Sequence, residues 1–426
     1  MSFREALSHR PFAVLVGARA LSRVGDSLHE IAIIWLVLKQ TGDARLVTLV
    51  VVASTLPNVV LSLPAGALVD RFDRRRVLVG ADLLRGVAVL AIPLFARGPM
   101  LLPVAVTVAL FVGVIEPFSG PARSATLPRT VPEAQLDSAN ALFSLTSSIS
   151  RTLYVLGGGI VAFVGPYPAF YVDAATFVLS GLVLLTLPEE VGRPDSETEG
   201  SGGDGGPLAE IARVIREARD GLGYVLGQPV VLSIIAVGLL VGTLSDPLGI
   251  ITPVFVEETL GRGSFAYGIV FGAIFVGSAV GDLLVGWLGN RIDSVREETV
   301  AVSLGVGGAS LAAAGVIAPR TTVPVVVAAG VFSVFGISLS FATTPLDTLL
   351  QTTVPNEMLG RVSSVFTVVG MVGPPVALAA TGPLVEAFGP TPVLVADGLV
   401  VVVSAGLVGI PLIRFRDSAS VAASGD

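Results

Sequence analysis

Apolar residues in this chain come in long runs, not in strict alternation. Twelve runs approach the roughly 20 residues that a helix needs to cross a bilayer. They cover 11–38, 45–69, 76–96, 99–120, 137–164 and 167–187, then 229–256, 264–289, 298–318, 322–350, 357–385 and 390–413. A membrane barrel would show segments of about 10 alternating residues instead. The pattern predicts an all-α membrane protein with twelve transmembrane helices. The opening run is broken by charges and lacks a small-residue cleavage site, so it reads as a retained helix.

Polar stretches divide the runs. Glu189 to Pro207 is the clear linker, and its acidic, glycine-rich part from Asp195 to Gly206 has no apolar side chain to bury. That composition predicts disorder. Beyond it, Leu208, Ile211, Ile215, Leu222 and Val225 share a helical side, with Arg213, Arg216 and Arg219 elsewhere. The spacing suits an amphipathic helix on the membrane face, or a solvated linker helix. The predicted organisation is two six-helix bundles, 1–188 and 229–416, joined by a cytoplasmic linker over 189–228 and followed by a tail over 417–426.

Composition narrows the classes. Of 426 residues, 52% are hydrophobic and 14% charged, and mean hydropathy is +0.83; soluble domains carry about 25% charged residues. There is no cysteine, which excludes disulfides and thiolate chemistry. Two histidines, His9 and His29, are too few for a histidine metal cluster. The one lysine, Lys39, is followed by Gln40, so no P-loop is present. No nucleophile–base set points to an enzyme, and no cofactor is expected. The net charge of -7 leaves no nucleic-acid footprint.

Arginine placement sets orientation. With the N-terminus inside, 17 of the 26 basic residues fall in inside loops and tails, among them Arg71, Arg74, Arg75, Arg76, Arg123 and Arg291. Five fall outside, and Arg19, Arg23, Arg85 and Arg151 lie within spans. Both termini and the linker are therefore expected in the cytoplasm.

The chain also repeats itself. Gly66-Ala67-Leu68-Val69-Asp70-Arg71 returns as Gly286-Trp287-Leu288-Gly289-Asn290-Arg291, 220 residues on. Gly165-Pro166-x-Pro168 and Asp173 match Gly389-Pro390-x-Pro392 and Asp397 at 224, and Val131-Pro132 matches Val354-Pro355 at 223. One six-helix unit used twice in one orientation explains all three.

Gly66-x-x-x-Asp70-Arg71-x-x-Arg74-Arg75, its echo at Gly286, the 6+6 plan and the central loop resemble the major facilitator superfamily over nearly the whole chain. Ser22-Arg23-Val24-Gly25-Asp26, Asp82 with Arg85, Leu127-Pro128, Ala139-Asn140-Ala141 and Glu217-x-x-Asp220-Gly221 resemble its drug and siderophore exporter branch. Two positions depart from the family pattern. Asp73 stands where the loop usually has glycine, and Leu153-Tyr154 stand where a glycine–proline pair precedes Gly157-Gly158. The resemblance implies a central cavity lined by spans 1, 4, 7 and 10. It also implies a cytoplasmic gate built from Gly66, Asp70, Arg71, Arg74, Arg75, Asp82 and Arg85, with Gly286, Asn290 and Arg291 in the second copy. Loop arginines are expected to meet acids such as Asp82.

Charges inside spans cost roughly 2.5–3.5 kcal/mol each to insert at the bilayer centre, so each needs a reason. Arg19, Arg23, Asp26 and Glu30 fall on one helix face by their spacing. They form either a wetted stripe or a set of internal ion pairs. Glu116, Asp246 and Asp347 place an acid on each remaining cavity span. Acids there suit a cationic group or a proton, with Arg23 and Arg151 as counter-charges or anion ligands. Arg151 is expected to pair with an acid of span 1 or 4, and Asp347 suits a gate. Asp246 precedes Pro247 and suits helix capping equally well. Asp173 and Asp397 are expected to cap and pack near the outer surface, and His29 to stand alone.

The reading is a secondary transporter in a prokaryotic cell membrane, exporting small amphipathic molecules in exchange for protons, by alternating access, as a monomer. The alternatives are a facilitator or importer of a small metabolite, and a non-transporting scaffold or sensor.

Overall fold

The computed structural model of the chain describes residues 3–193, 207–289 and 297–423. Asp195 to Gly206, Asn290 and Arg291 lie outside them. The chain divides into two compact units, Met1–Ala212 and Arg213–Asp426, and no strand occurs among the described residues. In the first unit α1 (Phe3–Ser8) leads into α2 (Arg10–Thr41), α3 (Ala44–Val69), α4 (Arg74–Phe95) and α5 (Leu101–Thr126). These are followed by α6 (Leu136–Thr152), α7 (Tyr154–Val164), α8 (Pro166–Leu184) and the single turn α9 (Glu189–Gly192). Next come α10 (Pro207–Gly227), α11 (Pro229–Ser245) and α12 (Leu248–Val254), the last continuing as a π-turn over Phe255–Thr259. The chain ends with α13 (Ser264–Gly289), α14 (Glu297–Ile317), α15 (Pro324–Thr353), α16 (Asn356–Gly370), α17 (Gly373–Phe388) and α18 (Pro390–Ala423).

Among the described residues, nine helical stretches are long and apolar enough to cross a membrane. The long α2 is not among them, because Asp26, Glu30 and Lys39 interrupt its apolar windows. Apolar α7 and the Pro390–Gly406 part of α18 are shorter. In a bilayer every backbone N–H and C=O needs an internal partner, so helices are the one open-chain solution. Proline opens α8, α11, α15 and α18 at the first turn, where its missing N–H costs nothing.

Three predicted runs are not single helices. The run 137–164 breaks at Leu153, 229–256 breaks at Asp246–Pro247, and 357–385 breaks at Met371–Val372. The last two breaks have a cause in proline, which offers no N–H and clashes with the preceding turn. The break at Leu153 has no proline, and nothing in the structure explains it. Conversely, α5 runs through Pro117 and Pro121 to Thr126, beyond the expected limit of 120. Prolines inside membrane helices are tolerated where neighbours re-satisfy the backbone.

The units pack by the same devices. With lipid outside, apolar burial gives little drive, so close van der Waals contact must hold helices together. A Cβ on Gly113 of α5 would come 2.1 Å from the Ser54 carbonyl oxygen of α3, and one on Gly336 of α15 would come 2.0 Å from that of Ile274 of α13. On the facing helix, Gly277 and Gly281 are equally constrained, against Ser333 and against Ile337 with Ser340. The crossing of α13 and α15 is thus tight from both sides. Gly165 and Gly389, before α8 and α18, both take positive φ (86° and 81°).

Candidate functional site

The interior of the first unit is organised by α2, which presents a different chemistry to each neighbour. Toward α8 it turns Ala18, Ser22, Gly25 and His29. Ser180 Oγ of α8 lies 3.0 Å from the Ala18 carbonyl oxygen and 2.5 Å from Asp82 Oδ2 of α4. One turn further, His29 Nδ1 lies 2.9 Å from Asp173 Oδ2. The Asp173 side chain has no exposed surface, and the imidazole keeps 17% of its own. Phe170 meets the imidazole edge-on. Gly25 makes this approach possible, because a Cβ there would sit 2.4 Å from Asp173 Oδ1 and 2.1 Å from Thr176 Oγ1. His29 therefore does not stand alone, and Asp173 is a charge partner inside the unit and not an outer cap. Their separation of 144 residues hid the pair from sequence reasoning. The available signal was an acid amid the apolar run of α8 and one histidine amid that of α2.

The stripe Arg19–Glu30 faces α6 and α7. The Arg19 guanidinium lies over the Phe143 ring, 4.7 Å from its centroid. Arg23 Nη1 pairs with Asp26 Oδ2 at 3.4 Å, both side chains about one-third exposed (34% and 31%). Tyr154, the first residue of α7, donates its hydroxyl hydrogen to Glu30 Oε2. The stripe is thus part ion pair and part accessible acid. Tyr154 went unnoticed in the sequence, where it marked only a departure from the family pattern. Glu116 of α5 is half-buried. The side chains of Arg151 and Asp347 lie outside those described. Asp246 is exposed at the end of α11 and its side chain makes no hydrogen bond or ion pair among the described residues. Its carboxylate does not cap the helix.

The gate residues divide into two groups. Asp70, at the C-cap of α3, pairs with Arg74 at 3.6 Å, and Arg71 is exposed. The Arg74 guanidinium also reaches the Arg193 carbonyl oxygen at 3.4 Å, where Arg129 donates as well. Arg75 donates to the Leu185 carbonyl oxygen and lies 3.8 Å from Glu189. These loop arginines hold the chain that leaves α8, and do not meet Asp82. Deeper in, Asp82 and Arg85 of α4 are buried (1% and 2% exposed). Arg123 Nη2 of α5 lies 4.0 Å from Asp82 Oδ1, and the Arg85 guanidinium faces the Phe177 ring at 5.7 Å. Arg123 was expected in a loop; the extension of α5 past its prolines places it inside. Gly66 and Gly286 have open space where a Cβ would go.

The second unit is different inside. A cleft with about 320 Å³ of non-protein space is lined by Leu240, Leu244, Ser303, Phe335, Ser338 and Val401, and no charged side chain borders it. Asp397 of α18 is 8% exposed, and its Oδ2 is buried without a hydrogen-bond partner. In α10, Ala218, Gly221 and Val225 pack on α16, where a Cβ on Gly221 would meet the Arg361 backbone at 2.5 Å. Ile215, Leu222 and Leu226 stay exposed, so the predicted apolar side divides into a packed stripe and a free one.

Known proteins resemble this chain along most of its length. The multidrug efflux pump Tap of Mycobacterium tuberculosis is 27% identical over 421 residues, covering 96% of this chain and 94% of that protein. Macrolide efflux protein A of Streptococcus pyogenes is 26% identical over 358 residues, covering 83% and 84%. Among solved structures, a bacterial homologue of the iron transporter ferroportin in an inward-facing state aligns with a TM-score of 0.71 at 18% identity, covering 94% and 98%. That likeness is one of fold. The family model described as Major Facilitator Superfamily matches residues 15–378, so the chain belongs to that superfamily of membrane transporters.

Proposed function

We propose that this protein is a proton-coupled exporter of small amphipathic molecules, built from twelve spans as two six-helix bundles with both termini in the cytoplasm. The observation that carries this reading is the polar row on α2. Asp26 and Glu30 are accessible acids, and each has one polar partner, Arg23 or Tyr154. An acid with a single partner can exchange it for a proton or for a cationic group on the substrate. The relatives' names, multidrug efflux pump and macrolide efflux protein, fit a substrate with an amine and a large apolar body. Alternating exposure of one site to the two sides turns a proton gradient into export.

The test uses purified protein in liposomes with an imposed pH gradient and the amphipathic cation tetraphenylphosphonium. Wild type should accumulate the cation against its own gradient. Asp26→Asn combined with Glu30→Gln should reduce that flux at least about tenfold, or roughly 1.4 kcal/mol in the barrier. Unchanged flux in the double variant would remove the stripe from the mechanism.

A further inference from the structure

We infer that His29 and Asp173 form the proton-carrying pair of this transporter, a site separate from the acids of the stripe; the inference rests on the proton-coupled reading above.

The argument starts from burial. Asp173 has no exposed side-chain surface, and its Oδ1 is buried without a hydrogen-bond partner. A carboxylate so placed is tolerated only beside a positive charge. His29 is the charge within reach, 2.9 Å from Oδ2. With Nδ1–H donating to Asp173, the remaining nitrogen, Nε2, is the one that gains or loses the proton. With that proton bound, the pair is an imidazolium beside a carboxylate and has no net charge. Without it, the pair carries one uncompensated negative charge. The imidazole keeps enough surface for the proton to enter and leave. Histidine is the side chain whose ordinary titration lies in the physiological range.

The surroundings let a substrate influence the pair. On α2, Asp26 and Glu30 flank His29 in sequence. From α8 the facing group is Asp173. On α7 it is Tyr154, engaged by Glu30. On α5 the titratable residues are Glu116 and Arg123. Between Arg45 and Asp70, α3 carries no titratable side chain. On α6 the titratable residue at this end is Arg151. A cation arriving at Asp26 and Glu30 removes the negative charge that favours the imidazolium, and so expels its proton. Coulomb's law thus makes binding of the cation and of the proton mutually exclusive, and alternating access turns that exclusion into exchange.

The repeat argues that packing alone does not require the pair. Asp397 matches Asp173 at 224 and is also buried. Opposite it, the residues that match His29 at offsets of 220 to 224 are Gly249, Ile250, Ile251, Thr252 and Pro253, none of which can take up a proton. The fold accommodates the acid without the histidine in one unit and has the histidine in the other.

Two measurements test the pair. In the liposome assay, His29→Gln should lose gradient-driven accumulation of tetraphenylphosphonium by at least about tenfold. It should move the cation only down its own gradient, with no proton counterflow read by an internal pH dye. Asp173→Asn should behave alike. Retained accumulation within about twofold, or loss of downhill movement together with uphill, would overturn the proposal. The second measurement stands independently of coupling. With two histidines in the chain, His9→Asn leaves His29 as the sole ¹⁵N-histidine signal. The ring should change protonation state as pH is varied, and added tetraphenylphosphonium should shift that titration. A ring fixed in one state throughout overturns the pair even where wild type couples to protons. A wild type that ignores the pH gradient while its ring titrates and responds to the cation sinks the coupled reading and leaves the binding site standing.

Discussion

Gly113 and Gly336 stand 223 residues apart and do the same thing in the two units: each brings its helix onto a backbone carbonyl of the helix two before it, Ser54 of α3 or Ile274 of α13. At the same offset the buried charges do not recur. Asp82, Arg85 and Arg123 of the first unit correspond to Gly305, Gly308 and Leu346 of the second. Gly308 uses its missing side chain to lie against the Gly398 carbonyl, and Leu346 joins the apolar core. Glu116 corresponds to Leu339, which borders the uncharged cleft. The helical frame therefore needs small residues at its crossings and not the ions that α4 and α5 carry, while the buried acid at Asp173 and Asp397 is shared by both units. The ions of the first unit have to be explained by what that unit does.

The largest expected effect comes from breaking the charged interior. Arg123→Leu leaves Asp82 buried with Ser180 as its remaining close polar partner. Removing one partner of a buried pair costs about 3–5 kcal/mol, seen as a lower thermal midpoint in detergent. Asp82→Ala with Arg123→Leu copies the apolar second unit and should recover most of the loss. If the double variant is as unstable as the single one, the two side chains are not coupled and the contrast between the units is not about pairing.

A second pair of substitutions probes what the units share. Gly113→Ala and Gly336→Ala each place a methyl about 2 Å from a backbone oxygen. Overpacking of this kind costs about 1–3 kcal/mol, and the two variants should lose similar amounts. Gly120→Ala and Gly330→Ala, on the same two helices with open space at the Cβ, should be neutral within about 0.5 kcal/mol. A large loss at one site only would mean that the crossings are not equivalent.

The frame was legible because lipid imposes length and apolarity on each span and because the duplication repeats prolines and glycines at fixed offsets. Gly165 and Gly389 reveal this best, since both positions need positive φ before a helix that proline opens. Two of the helix breaks have a cause written in the sequence, proline at Pro247 and Pro374, and the one at Leu153 has none. The site was legible in part. Spacing alone put Arg19, Arg23, Asp26 and Glu30 together on α2. It could not say that Tyr154 would hold Glu30, or that His29 would turn toward α8 and meet Asp173. Those partners come from other helices, and their identity depends on rotation and register that apolar runs leave undetermined. Arg123 differs from its expected loop position for another reason: the apolar run ends near 120, while α5 continues through Pro121 to Thr126.

The smallest effect lies in the loops, where the units again differ in one residue. Asp43 caps the N-terminus of α3, accepting from the Arg45 backbone N–H at 2.8 Å and from the Arg45 guanidinium at 2.8 and 3.1 Å. The matching position before α13 is Gly263, a residue that costs little at an N-cap. Asp43→Ala should lower stability by about 1 kcal/mol, and Asp43→Gly by a few tenths. The Arg45 hydrogen bonds, with the backbone N–H groups of the cap, hold the Asp43 carboxyl below its ordinary 3.8. A carboxyl depressed by folding contributes stability above its unfolded value and loses it as pH falls through the folded one. The gap in thermal midpoint between wild type and Asp43→Asn should therefore stay constant from pH 7 down to about 4 and close below that. A gap that persists undiminished at pH 2 would show that the cap is held by geometry and not by the charge on Asp43.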